Sequence, residues 1–198
     1  MPISSIPTRE RGTKVNVNNY NAVMVDLETM STQNNAAIIS IGAVKFWTNV
    51  SQDEFTEDQL FYQTVSLKSC QKLGLDIDAN TIEWWLQQSK EAQMALFDLR
   101  KKDLHSALSA FAGWFPKEAS LFGNGATFDN IILRNAFNVC KVQYPVSYRQ
   151  DMCYRTIARM SNVIVEKIEG TKHNALDDAI RQTKHIMAIF QKTPWMGK

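Results

Sequence analysis

Asp26, Glu28, Asp129, His173 and Asp178 are the side chains of this sequence best suited to hold a hard cation or move a proton, and they fall in three short stretches. The first, Ala22-Val-Met-Val-Asp-Leu-Glu-Thr29, reads as an apolar strand ending in two carboxylates. Strand side chains alternate, so Val23, Val25 and Leu27 face one way and Met24, Asp26 and Glu28 the other. Two carboxylates on one face, roughly 7 Å apart along the strand, can hold a divalent cation between them. Taken alone, Asp-x-Glu is a polar strand end facing water, and only further acids converging on it change that reading. Asp129 lies in the first turn of a helix if Thr127 is the cap, after the glycine turn Gly123-Asn-Gly125. That is where α/β folds place their sites, although an acid there also simply complements the helix dipole. In His173-Asn-Ala-Leu-Asp-Asp178, Asn174 caps the last helix and Asp177, at its third position, completes a capping-box-like pair. Asp178 has no such structural use. His173 stands outside the cap, where a hinge would let the imidazole swing over a neighbouring site; a metal ligand, an acid/base partner and a surface charge pair all remain open for it.

The elements that must position these groups are legible from periodicity and turns. Residues 1–20, with two prolines and Asn-rich turns, form a loose arm before a domain spanning 21–198. The strand at 22–28 is followed by Ala37–Phe46, a long β-prone run, and by a third strand near Phe61–Ser66, an antiparallel trio. Asn80-Thr-Ile-Glu83 has the form of a capping box that opens Trp84-Trp-Leu-Gln-Gln88. Helices are expected over Lys90–Leu99, Ser106–Phe115, Thr127–Cys140, Asp151–Met160 and Asn174–Gln191, and a short strand over Leu121–Gly123. In the last helix Leu176, Ile180, Thr183, Met187 and Phe190 make one stripe facing the core. His105 and His185 lie within amphipathic helices and read as structural. The fold class is α/β, a mixed central sheet with three antiparallel strands first and parallel pairing after, flanked by helices.

Composition narrows the function classes. With 198 residues there is room for one sizeable core. No apolar run reaches membrane-spanning length and the start lacks a basic region followed by an apolar core, so a cytoplasmic protein without membrane attachment is expected. Cys70, Cys140 and Cys153 form no Cys-x-x-Cys pair, which argues against zinc and for reduced thiols. A net charge of +2 excludes nonspecific coating of nucleic acid by a basic surface but leaves room for a local groove.

The stretches Asp26-Leu-Glu-Thr, Asn124-Gly-Ala-Thr-Phe-Asp129 and His173-Asn-Ala-Leu-Asp-Asp178, in that order across residues 22–190, resemble the DEDD exonuclease superfamily, in its subgroup with a histidine in the last motif. Ala22–Ala43 and Asn80–Ser89, with Thr-Ile-Glu-Trp-Trp, look like the phage exonuclease A and bacterial exoribonuclease branch. The resemblance implies an RNase H-like fold and hydrolysis of nucleic acid from the 3′ end. It makes Asp26, Glu28, Asp129 and Asp178 ligands of two Mg²⁺ or Mn²⁺ ions, hard cations that prefer carboxylate oxygen and stabilise the attacking and leaving oxygens of a phosphodiester. His173, with an ordinary pKa of about 6.5, is then the base that takes a proton from the attacking water.

Substrate contacts are expected from Thr29 and Met30, which follow the acidic pair, and from one of the tryptophans, Trp84 or Trp85, with Trp85 chosen; adjacent helical residues point about 100° apart, so both cannot stack on a base. Asn124 either positions the phosphate or sugar or is a turn residue. Arg149 and Arg155 either line a groove or are solvated charges. The leading expectation is release of nucleoside monophosphates from single-stranded 3′ ends, DNA slightly favoured over RNA. The alternatives are an exoribonuclease or oligoribonuclease on short RNA, and a nucleic-acid-binding module without activity. Members of the resembling family are often homodimers, which leaves a homodimer open.

Overall fold

The computed structural model describes residues 20–98, 100–125, 127–164 and 173–193. The chain enters as strand β1 (Ala22–Thr29), turns into β2 (Ile38–Phe46) and continues to β3 (Leu60–Thr64). Short helices α1 (Leu67–Lys72), α2 (Ala79–Leu86) and α3 (Lys90–Phe97) precede α4 (Leu104–Trp114). Strand β4 (Ser120–Gly123), helix α5 (Asp129–Cys140), strand β5 (Asp151–Cys153) and helix α6 (Tyr154–Met160) follow, and α7 (Ala175–Lys192) is the last described element. The sheet order is β3-β2-β1-β4-β5. β1, β2 and β3 pair antiparallel, while β4 and β5 add to β1 in parallel. This is the expected mixed sheet, consistent with an RNase H-like fold.

Alternation along β1 decides which layer each residue joins. Val23, Val25 and Leu27 sit in the larger core with Trp85, Leu108, Phe111, Ile132 and Phe137. Ala22 and Met24 face the other way, into a smaller core with Val44, Phe46, Phe122 and α7 residues Ala179, Ile186, Met187 and Phe190. Helices α1 to α5 therefore cover one face of the sheet and α7, with α6 beside it, covers the other. Both faces of β1 are dry, so the strand reads as a near-continuous apolar run until its two carboxylates.

Three local expectations are corrected. The residues expected to open a helix at Asp151 form β5 instead, with α6 starting at Tyr154; three residues are too few for periodicity to tell strand from helix. The cap of α2 is Asp78, not Asn80: its carboxylate accepts from the Thr81 amide at 2.9 Å and the Thr81 hydroxyl at 3.0 Å. Phe128, not Thr127, occupies the cap position of α5, without a side-chain cap bond, and Asp129 is the first helical residue. The expected arm falls almost wholly outside the described residues; its last member, Tyr20, is buried and donates to Asp58 at 3.0 Å. No described helix is long and apolar enough to cross a membrane.

Candidate active site

The site forms where β1 outruns its parallel neighbour. β4 pairs with β1 only over Ala22–Val25, so the segment carrying Asp26 and Glu28 extends past the end of β4. The Leu27 amide, between the two acids, instead donates to Asp129 Oδ1 at 3.1 Å. Asp129 can come that close because the residue ending β4 is glycine. A Cβ on Gly123 would lie 2.1 Å from Asn130 Oδ1 and 2.9 Å from Asp129 Cβ. The first turn of α5 thus closes directly onto the strand, and Asp129 is almost fully buried.

On the other face, α7 is brought in by a second glycine. Gly42 on β2 pairs with Asp26 on β1, and a Cβ there would lie 2.1 Å from the carbonyl carbon of Ala175 and 2.3 Å from the Leu176 nitrogen. The entrance of α7 therefore rests on the sheet beside Asp26. Asn174 caps it as expected, its side chain accepting from the amides of Leu176 at 3.1 Å and Asp177 at 3.2 Å. His173 takes a left-handed conformation, φ 62°, and its amide donates to Asp178 Oδ2 at 3.2 Å. One ligand atom from each of Glu28, His173 and Asp178 lies within 4.8 Å of the others. Asp178 also pairs with Arg181 one turn on. The hinge expectation is not supported: the imidazole is already inward, edge-on to Trp84 with ring centroids 4.8 Å apart.

Crowding three carboxyls into a buried crevice changes their protonation. Burial, then the charges of Asp129 and Glu28, hold Asp26 well above the usual carboxylate range, against a 2.7 Å hydrogen bond from Gln182 and the charge of Arg181. Burial and the Asp129 charge push Glu28 up to about 8. Asp129 rises to about 6: burial outweighs the backbone hydrogen bonds it accepts and the charge of Arg155. Its Oδ2 is buried and finds no hydrogen-bond partner among the described residues. Such a group favours a proton or a cation.

Beside Glu28 opens a cavity of about 570 Å³ whose walls include Thr29, Ser31, Asp76, Asp78, Trp84 and Phe128. Trp84 is 41% exposed, whereas Trp85 is 1% exposed and its indole N–H donates to the Thr29 carbonyl at 3.0 Å. The surface a base could stack on belongs to Trp84, and Trp85 is the floor beneath it. Met30 is also corrected: a β-bulge between Glu28 and Thr29 resets the alternation and turns its side chain into the main core. Thr29 lines the cavity, with its hydroxyl donating to the Ser31 carbonyl at 2.7 Å. Asn124 lies off the cavity and accepts from Arg155 Nε at 3.4 Å. His185 is structural as expected, bridging the Tyr154 hydroxyl at 2.7 Å and the Val163 carbonyl at 2.9 Å.

Sequence reasoning missed Gln182, Phe128 and the two seating glycines. Gln182 had a signal, since it lies four residues after Asp178 on the same helical face. Gly42 and Gly123 had none, because what each touches is distant in sequence or known only once the helix is docked. The family model of the 3′–5′ exoribonuclease Rv2179c-like domain matches residues 21–190. No curated protein matches the chain.

Proposed function

Because the chain belongs to the 3′–5′ exoribonuclease Rv2179c-like domain family, a DEDD-type exonuclease family, we propose that it is a metal-dependent hydrolase that removes nucleoside 5′-monophosphates one at a time from the 3′ end of single-stranded RNA. The observation that carries this reading is the inward His173 imidazole, grouped with Glu28 and Asp178 within 4.8 Å at the carboxyl end of β1. The sequence alone put DNA slightly ahead of RNA, but the family's description speaks for RNA. His173 in the last stretch supports the histidine subgroup, and Thr81-Ile-Glu-Trp-Trp85 supports the phage exonuclease A and bacterial exoribonuclease branch.

The donor set fits hard divalent cations. It consists of carboxylate oxygens and one imidazole, with no thiolate, and Oδ2 of buried Asp129 has no hydrogen-bond partner among the described residues. Asp26, Glu28, Asp129 and Asp178 would hold two Mg²⁺ or Mn²⁺ ions. Bound there, the ions would supply positive charge against the negative charge that builds up on the reacting phosphate. The chain's own residues do the rest. The cavity receives the terminal nucleoside with Trp84 against its base, a contact of roughly 1–3 kcal/mol that does not read sequence. Trp85 and the Thr29 carbonyl fix the wall beneath. An imidazole nitrogen of His173 takes the proton of the attacking water. The water oxygen bonds to phosphorus as the P–O3′ bond breaks, which leaves the phosphate on the released nucleotide, and O3′ takes a proton from solvent to end the shortened strand in a 3′ hydroxyl.

Digestion of matched 5′-labelled single-stranded RNA and DNA with Mg²⁺ or Mn²⁺ tests this. RNA is expected to shorten stepwise from its 3′ end and DNA to be cut more slowly. Binding of both polymers without shortening would leave only the non-catalytic module.

A further inference from the structure

The substrate is a polyanion entering a site of four carboxylates, and the charges around that site are unevenly placed. The cavity wall near α2 carries Asp76 and Asp78, which repel a phosphate. The α6 side is basic: Tyr154–Met160 contains Arg155 and Arg159 and no acid. Strand β5 lies parallel to β4 and hands the chain straight to α6, so the first turn of α6 meets the loop between β4 and α5. There Arg155 Nε donates to Asn124 Oδ1 at 3.4 Å, and its guanidinium carbon and Nη1 lie 3.8 Å from where a Cβ on Gly125 would stand. Asp129, four residues beyond Gly125, feels its charge.

Unlike its neighbours, Arg155 is not consumed by a carboxylate. Arg181 pairs with Asp178 and Arg134 with Asp151, and no acid among the described residues stands within ion-pair distance of Arg155. Its side chain is exposed, aimed by a weak neutral bond, and beside the acid that ends the site. Arg159 is exposed too, four residues on, so the two guanidinia rise from neighbouring positions on one helix face.

We infer that Arg155 grips the phosphate on the 5′ side of the bond being cut, and that the strand leaves the site over α6 toward Arg159. The terminal base enters the cavity by Trp84 while the backbone runs along the basic side, away from Asp76 and Asp78. This rests on the exonuclease reading of the same site. A planar guanidinium suits the role, since it can give a phosphate two parallel hydrogen bonds.

The test compares two dinucleotides, ApA and pApA, in wild type, Arg155→Ala and Arg155→Lys. Both contain one cleavable bond, but only pApA carries the phosphate on its 5′ side. Wild type is expected to cleave pApA with a kcat/KM about tenfold above ApA, the worth of one charge-assisted hydrogen bond. In Arg155→Ala that ratio should fall to near one, and Arg155→Lys should lie between. On longer RNA, the plot of log kcat/KM against log salt concentration should flatten by about 0.7 in Arg155→Ala, one phosphate contact on a single strand. A ratio in Arg155→Ala equal to that of wild type, whether or not both rates drop, would overturn the inference while leaving the exonuclease reading intact. Failure of wild type to shorten any RNA would overturn both.

Discussion

A single methyl group on Gly42 should disable the site without touching any of its functional side chains. In Gly42→Ala the new Cβ would meet the carbonyl carbon of Ala175 at 2.1 Å, its oxygen at 2.3 Å and the Leu176 nitrogen at 2.3 Å, whereas ordinary van der Waals contact begins near 3.4 Å. All three atoms are backbone, so no rotamer change relieves the clash, and the entrance of α7 must back away from the sheet by more than about 1 Å. Asp178 sits in that first turn and His173 is tied to it, so both move relative to Asp26 and Glu28 on β1. A displacement of about 1 Å costs on the order of 100-fold in rate. Overpacking costs about 1–3 kcal/mol, or roughly 3–10 °C in Tm for a domain of this size. Stepwise shortening of 5′-labelled RNA, assayed well below the lowered Tm and alongside far-UV circular dichroism, separates a displaced helix from an unfolded one. Gly113→Ala is the control, since a Cβ there meets nothing within 4 Å. Gly42→Ala with activity within twofold of wild type would refute the claim that this glycine seats α7.

Trp84→Ala should raise KM for RNA about tenfold and leave Tm nearly unchanged, while Trp85→Ala should lower Tm by on the order of 10 °C, since it empties the core and removes the bond to the Thr29 carbonyl; an unaltered KM in Trp84→Ala would count against the stacking role. Asp178→Asn should abolish hydrolysis and Asp177→Asn should spare it, and equal losses in steady-state assays would contradict the distinction between these neighbours. Stability should depend on pH in a particular direction. Glu28 and Asp129 hold protons more tightly folded than unfolded, so their contribution is complete below the ordinary carboxylate range and is lost as pH rises through about 6 for Asp129 and about 8 for Glu28. For Glu28 the loss is at most about 5 kcal/mol. A divalent cation neutralises the same charges, so the Tm gain from Mn²⁺ in differential scanning fluorimetry should be larger at pH 8 than at pH 5.5. A gain independent of pH would show that the ion does not bind these acids.

What was legible in the sequence was local. Alternation along β1 put Asp26 and Glu28 on one face of the sheet and Val23, Val25 and Leu27 on the other, because strand geometry leaves no choice once the strand exists. Asn174 as the cap of α7 was legible for the same reason, since its partners are two and three residues away. Which of two adjacent tryptophans faces the core was not, because only the packing of α2 against the Thr29 carbonyl decides it. The turn of Met30 into the core was not legible either, because the bulge after Glu28 breaks the alternation of the strand. The seating of α7 on Gly42 spans more than 130 residues of chain. Asp78 displaced Asn80 as the cap because either spacing fits a capping pattern and only docking against the end of β1 selects one, the Asp78 amide donating to the Met30 carbonyl at 2.8 Å.

The proposed function requires that water, activated at the site of Asp26, Glu28, Asp129, His173 and Asp178, cuts the terminal P–O3′ bond of RNA. Digestion of single-stranded RNA in ¹⁸O-labelled water with Mn²⁺, read by mass spectrometry, tests it most directly. Nucleoside 5′-monophosphates with one ¹⁸O on phosphorus and 3′ hydroxyls on the shortened strands are expected, and no such product from Asp178→Ala. Unlabelled 2′,3′-cyclic phosphates, 3′-phosphate ends, or undiminished release by the variant would contradict it.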